Sequence, residues 1–226
     1  TYLELTGRSL DKITHAYAYG GAALAISSLN TNLDLNIKEF VTVNFESVVD
    51  IVDAVGGVNV NITSEELKYI NGYIDEINRV TGNNASHITK TGKQNLNGVQ
   101  ALAYGRIRYT AGGDYKRTER MRDIMMAVVD KAKKMSITQL NKLADTLLPK
   151  VYTNINSGEI ISLIPQLASY KIIDSTGWPY NTKGVTISGV WYGAPVTLES
   201  NVKELHEKVY GQTNYEPSEK VKEISN

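Results

Sequence analysis

Hydrophobic and polar positions along this 226-residue chain switch between two periods. Thr1–Leu5 reads as the middle or end of a strand. Gly20-Gly21 precedes a helical pattern from about Ala22 to Leu33, with Leu24, Ala25, Leu29 and Leu33 near one face. Glu39–Phe45 alternates as a strand does and leads into a helix over about Glu46–Val55, closed by Gly56-Gly57. Val58–Ile62 is a short strand. Thr63 and Glu66 form a capping-box pair before a helix to about Val80. Gly82–Lys93 is polar and reads as a surface excursion. A short helix starting at Asn97 or Gly98 carries Gln100, Ala101 and Leu102. A long helix follows over Arg117–Met135, and Ser136 with Gln139 caps the next, to about Leu148. Ser157–Ser169 is an amphipathic helix, Gly184–Trp191 a late strand and Val202–Tyr210 a closing helix. After Gly211 the chain is polar and is expected to fray.

Strands interleaved with helices of this length predict an α/β layered fold with a mixed sheet. No internal repeat, low-complexity segment or composition break divides the chain. The expectation is therefore one domain over residues 1–212 and a polar tail over 213–226.

Composition narrows the chemistry. Lys and Arg number 24 against 24 Asp and Glu, so a nucleic-acid binder working through a broad basic face is disfavoured. With no cysteine there are no disulfides, thiolates or Cys-based metal sites. No run approaches the roughly 18–20 apolar residues of a membrane span. The chain opens on Thr1 without an initiator Met or signal peptide, and is expected to be a fragment whose upstream part is not in view.

Charge is concentrated locally. Residues 105–134 hold nine Lys/Arg and four Asp/Glu. Arg106 and Arg108, a Gly-Gly-Asp turn, then Arg117, Arg120 and Arg122 place five guanidiniums within 17 positions on two elements. Such a set can converge on one multiply charged anion, because the planar fork of Arg binds phosphate oxygens bidentately and stays charged. A solvated basic helix end is the plainer reading of a charge run. The apolar and aromatic setting of Leu102, Tyr104, Ile107, Tyr109 and Tyr115 favours a partly buried site. His15, His87 and His206 are far apart and read as ordinary polar residues, with His15 beside Lys12 able to touch the site. The sequons at Asn61 and Asn84 are weak signals. No P-loop, zinc motif or nucleophile elbow is present.

Four blocks carry a family resemblance. Asp11-Lys12-Ile13-Thr14-His15-Ala16-Tyr17-Ala18-Tyr19-Gly20-Gly21 resembles the K-I-N-x-A-Y-x-x-G-G signature of the LytR–CpsA–Psr family of bacterial cell-envelope enzymes. Residues 45–58, from Phe45 through Val49-Asp50 and Gly56-Gly57 to Val58, are similar to its F-x-x-x-V-D-x-x-G-G-V block. Residues 96–108 resemble L-N-G-x-x-A-L-x-Y-x-R-x-R, and Gly113-Asp114-Tyr115-Lys116-Arg117-Thr118-Glu119-Arg120 continues the match. The resemblance covers about residues 1–135 and weakens over 140–212.

The resemblance implies an outward-facing, membrane-anchored phosphotransferase at the bacterial cell surface. Such an enzyme moves a glycopolymer (wall teichoic acid, capsular or other secondary wall polysaccharide) from an undecaprenyl-pyrophosphate carrier to peptidoglycan, with Mg²⁺ assisting. It also implies a central sheet sandwiched between helices, and an apolar tunnel for the polyprenyl tail with arginines at its mouth. By position, Arg106, Arg108, Arg117, Arg120 and Lys12 would bind pyrophosphate, and Arg106, Arg108 and Asp114 would be catalytic. Met121 stands where the family often has Gln. The family's metal-binding aspartates precede Thr1, so no Mg²⁺ ligand set is expected within this chain. The membrane anchor and the metal ligands would lie in a missing N-terminal segment, which is expected to remain associated with the fold. Nucleic acid is not an expected partner.

Phosphoryl transfer agrees with such a site, since it asks mainly for positioning and charge neutralisation. Asp114 is either a general base for the acceptor hydroxyl or a helix N-cap, and both roles can coexist. The aliphatic faces (Ile124, Met125, Val128, Val129; Ile160, Ile161, Leu163, Ile164, Leu167) fit a core or a lipid tunnel equally in composition. Two other functions stay open: a transcriptional attenuator of cell-envelope genes, and a non-catalytic polyprenyl-phosphate or polysaccharide-binding module.

Overall fold

Local sequence chemistry sets most of the element boundaries in the computed structural model, which describes residues 1–167 and 169–225. The chain divides into two compact units, residues 1–40 with 176–226 and residues 41–175. The second is an insertion in the first, so both ends of the chain belong to one unit.

In the first unit, β1 (Tyr2–Glu4) pairs antiparallel with β2 (Leu10–Lys12), with Leu3 opposite Asp11. Helix α1 (His15–Leu33) is broken at Gly20 and Gly21; Gly21 has a φ of 61°, so its regular run starts at Ala22 as the glycine pair predicts. Its buried Asn32 completes the open edge of β1, accepting from the Glu4 N–H at 3.1 Å and donating to the Glu4 carbonyl at 2.7 Å. Ser28 accepts from the Thr6 N–H at 3.0 Å. The unit adds the antiparallel hairpin β7 (Thr182–Ile187) and β8 (Val190–Pro195), then α8 (Leu198–Tyr210) and α9 (Glu219–Ser225). Its core gathers Leu3, Leu33, Leu198, Val202 and Val221.

The segment beyond Gly211 does not fray. Tyr215 stacks on the His206 ring at 3.6 Å and donates to Asp34 at 3.0 Å, Ser218 donates to the same carboxylate, and Val221 is fully buried. The Tyr215 ring, the buried Val221 and the half-buried Asp34 carboxylate hold this segment despite its polar composition.

In the second unit, β3 (Val41–Thr42) is shorter than its alternating pattern because Asn44 caps α2 (Phe45–Ala54), accepting from the Ser47 N–H at 2.8 Å. β4 (Val58–Ile62) buries Val58, Val60 and Ile62 and pairs antiparallel with β5 (Gly92–Leu96). β5 falls partly within the expected surface excursion: its side chains before the buried Leu96 are polar, and its ladder to β4 makes it a strand. Helices α3 (Ser64–Thr81) and α4 (Gly98–Arg106) follow β4 and β5, each opening on a capping box. Helix α5 (Gly113–Ala132) starts four residues before the expected Arg117, within the turn itself. Helix α6 (Ile137–Leu147) is capped by Ser136 and Gln139 as expected. β6 (Tyr152–Thr153) pairs with β3. The expected helix over 157–169 stops as α7 (Ser157–Leu163), where Pro165 diverts the chain into a short 3₁₀ turn; its Ala168 lies outside the described residues.

The α/β class therefore holds. Among the described residues the strands form four two-stranded antiparallel ladders, where the reading above expected one mixed sheet. No helix among them is long and apolar enough to cross a membrane.

Candidate functional site

The core of the second unit is built around α4, whose residues from Ala101 to Gly105 are all buried. Two glycines permit that depth. A Cβ on Gly98 would strike the Val49 backbone of α2, and one on Gly105 would strike Met121 and Ile124 of α5. Close packing on both sides fixes the C-terminus of α4, and that end carries Arg106.

Arg106 lies between two rings, with its Cζ 4.5 Å from the Phe45 centroid and 5.9 Å from that of Tyr73. Its Nη2 donates to Glu76 Oε1 at 3.1 Å. Its Nη1 is buried and has no hydrogen-bond partner. Phe45 also borders an open depression of about 450 Å³, lined by Val43, Asn44, Glu46, Val80 and Thr81.

Two residues further on, Arg108 is about half exposed and pairs with Asp114 Oδ1 at 2.8 Å. Arg117 reaches the same oxygen at 3.4 Å. Gly112 and Gly113, with φ of 90° and 47°, fold the chain back between them. Gly112 is the N-cap of α5 and supplies no side chain, so Asp114 is not the cap. It lies in the first turn, where its charge complements the positive end of the helix dipole.

Arg120 is placed differently from expectation. Its side chain is only 3% exposed; Nε donates to Glu66 Oε1 at 2.8 Å, Nη1 to the Ile107 carbonyl at 3.0 Å and Nη2 to Thr110 Oγ1 at 2.6 Å. All three nitrogens are engaged inside the protein, so the assignment of Arg120 as a pyrophosphate ligand is corrected to an internal role. Glu66 has its other oxygen on the Thr63 N–H and hydroxyl, so one carboxylate closes the capping box and binds Arg120. Burial pushes the Glu66 carboxyl up, but the Thr63 and Arg120 donors outweigh it and hold it below the usual glutamate value. Lys12 belongs to the first unit, where its Nζ lies 5.1 Å from the Tyr192 ring centroid.

The residues missed from sequence lie on one stripe of α3. Glu66, Tyr69, Tyr73 and Glu76 fall at i, i+3, i+7 and i+10, and each touches the arginine segments: Glu66 on Arg120, Tyr69 at 5.9 Å from Tyr109, Tyr73 and Glu76 on Arg106. That spacing of acids and tyrosines was the available signal. Among the described residues no group of three or more His, Asp or Glu side chains could hold a metal ion. The carboxylates beside these arginines, Glu66, Glu76 and Asp114, are each already paired with a guanidinium. These residues do not form a Mg²⁺ site, and no step below runs through the ion.

Comparison with known proteins gives the family and the fold. The profile of the LytR_cpsA_psr family matches residues 1–208. The polyisoprenyl-teichoic acid–peptidoglycan teichoic acid transferase TagT of Bacillus subtilis (strain 168) is 31% identical over 188 residues, which are 81% of this chain and 56% of that protein. Biofilm regulatory protein A of Streptococcus mutans serotype c is 32% identical over 185 residues, 80% of this chain and 43% of that protein. The chain thus spans about half the length of the curated relatives it matches. A solved structure of TagT bound to LIIa-WTA superposes with a TM-score of 0.72 at 26% identity, covering 95% of this chain and 76% of that one.

Proposed function

The chain belongs to the LytR–CpsA–Psr family, and on that footing we propose that it is part of a phosphotransferase that attaches a glycopolymer from a polyprenyl-pyrophosphate carrier to peptidoglycan at the bacterial cell surface. The teichoic acid transferase activity named for TagT supports wall teichoic acid, ahead of capsular polysaccharide, as the polymer class. A membrane anchor belongs to the same reading.

The observation that carries it is the state of Arg106. A buried cationic donor without an acceptor is costly, and an anionic oxygen is the group that would satisfy it. In this reading one phosphoryl group of the diphosphate meets Arg106 Nη1, and the other displaces Asp114 from Arg108 and Arg117. The guanidiniums then neutralise the charge that gathers on the leaving polyprenyl monophosphate as the bridging P–O bond of the diphosphate breaks and the other phosphoryl group stays with the sugar. Asp114, released from its two partners, takes the proton of the acceptor hydroxyl as that oxygen attacks phosphorus. The depression beside Phe45 receives the first part of the polyprenyl chain, with Val43 and Val80 as apolar walls. Mg²⁺ enters the proposal as a requirement to be titrated, with no ligand assigned among residues 1–226.

The test is transfer itself. The protein is incubated with a synthetic polyprenyl-pyrophosphate-linked teichoic acid precursor and peptidoglycan oligomers, with and without Mg²⁺, and products are read by mass spectrometry. A phosphodiester-linked glycan on peptidoglycan, lost in Arg106→Ala, is expected. Substrate bound with no product under any condition would leave a binding module, and no binding at all would overturn the reading.

A further inference from the structure

Arg120 and Glu66 form the most enclosed charged pair of the second unit, at 3% and 7% side-chain exposure. Replacing a buried pair of this type by apolar residues of similar volume is often neutral or stabilising, so net stability is a weak account of it. Its geometry offers a better one. Arg120 donates to the Ile107 carbonyl and to the Thr110 hydroxyl, the residues flanking Arg108 and Tyr109. Glu65 adds a contact to the same segment, accepting from the Ala111 N–H at 3.3 Å. The Thr110 carbonyl in turn accepts from the Gly113 N–H at the start of α5. The base of this clamp is rigid, because Glu66 is locked by the capping box at the N-terminus of α3.

We propose that Arg120 is a positioning residue: clamped by Glu66, it holds residues 107–112 so that Arg108 is presented to the anion beside Arg117. The inference rests on the reading of Arg108 given above. It separates two tasks that neighbouring arginines of one sequence block share, with Arg108 and Arg117 facing the ligand and Arg120 facing inward. A fork is required for the inward task. A lysine at position 120 could reach Glu66 but could not also hold Ile107 and Thr110.

The decisive variant is Thr110→Val, which keeps volume and the Arg120–Glu66 pair while removing one clamp acceptor; Thr110→Ser restores the hydroxyl. Amide hydrogen exchange over residues 108–112 is expected to quicken about tenfold in Thr110→Val and Arg120→Lys and to stay near wild type in Thr110→Ser. Calorimetric titration with inorganic pyrophosphate should show the same pattern, with affinity falling about tenfold in the two clamp variants. Arg108→Ala should lose affinity with no change in exchange elsewhere in the unit. Unchanged exchange and unchanged pyrophosphate affinity in Thr110→Val would overturn the proposal, even if Arg120→Lys failed to fold. If Arg108→Ala bound pyrophosphate as well as wild type, the reading of the anion site would fail, and exchange over 108–112 would still decide the clamp.

Discussion

Arg108 and Arg117 stand on either side of the Gly112-Gly113 turn and meet on one carboxylate oxygen of Asp114, at 2.8 and 3.4 Å. Asp114 thus holds two guanidiniums together before any ligand arrives, and any anion that binds them must compete with it. Arg108→Ala and Arg117→Ala are each expected to cost about 1.5–3 kcal/mol of transition-state stabilisation, the worth of a charged hydrogen bond. Steady-state kcat/KM for glycopolymer transfer measures this.

Asp114→Asn separates counter-charge from base. Removing a competing negative charge should leave pyrophosphate binding undiminished, while loss of a proton acceptor should lower kcat by about 10²-fold or more. If kcat stays at the wild-type value, Asp114 does not act as the base.

Arg120→Met leaves the Glu66 charge buried without its main partner. At neutral pH a cost of about 3–5 kcal/mol in unfolding free energy is expected by urea titration. The folded Glu66 carboxyl is held below its unfolded value of about 4.3. Its contribution is therefore present above that pH and is lost as pH falls through the folded value. The gap between wild type and Arg120→Met should accordingly narrow when the titration is repeated at about pH 3.5. An equal gap at both pH values would count against ionised Glu66 as its source.

Two phenols should ionise late. Tyr104 is raised to about 12 by burial and by the nearby charges of Glu66 and Asp123. Tyr215 is raised to about 12 by burial and by its hydrogen bond to Asp34. Each contributes stability below the unfolded value of about 10 that is lost as pH climbs towards the folded one. An absorbance titration of phenolate formation should show two late steps, one removed by Tyr104→Phe and one by Tyr215→Phe.

Two glycines of α4 predict a contrast. At Gly98 an added methyl meets the Val49 backbone, which cannot move alone; at Gly105 it meets the flexible Met121 side chain first. Gly98→Ala should destabilise by about 1–3 kcal/mol, with Gly105→Ala at the lower end of that range. Thermal unfolding of the pair checks the order.

Much of this was legible because it is local. Thr63 with Glu66 and Ser136 with Gln139 declare helix starts within four residues, and Gly20-Gly21 marks where α1 breaks. Arg108, Asp114 and Arg117 were joined in sequence by a glycine turn that folds them together. Long-range partners were not legible. Arg120 reads like its neighbours until Glu66, 54 residues earlier, is placed beside it. Arg106 depends likewise on Phe45, Tyr73 and Glu76. β5 has no apolar alternation, so only β4 reveals it. Pro165, by contrast, was a local stop signal inside the expected helix.

The insertion of residues 41–175 within the other unit has a consequence during synthesis. The inserted unit is complete once residue 175 has left the ribosome, before the second part of the other unit is made, and it can fold as a domain at that point. The first 40 residues must wait for β8, α8 and α9, and the His206–Leu33 contact that helps to close their unit spans 173 positions. Until then β1 would be a short strand with an open edge, the kind of surface on which nascent chains aggregate. Asn32, only 28 residues from Glu4, can occupy that edge as soon as α1 forms, so the waiting segment carries its own guard against mispairing.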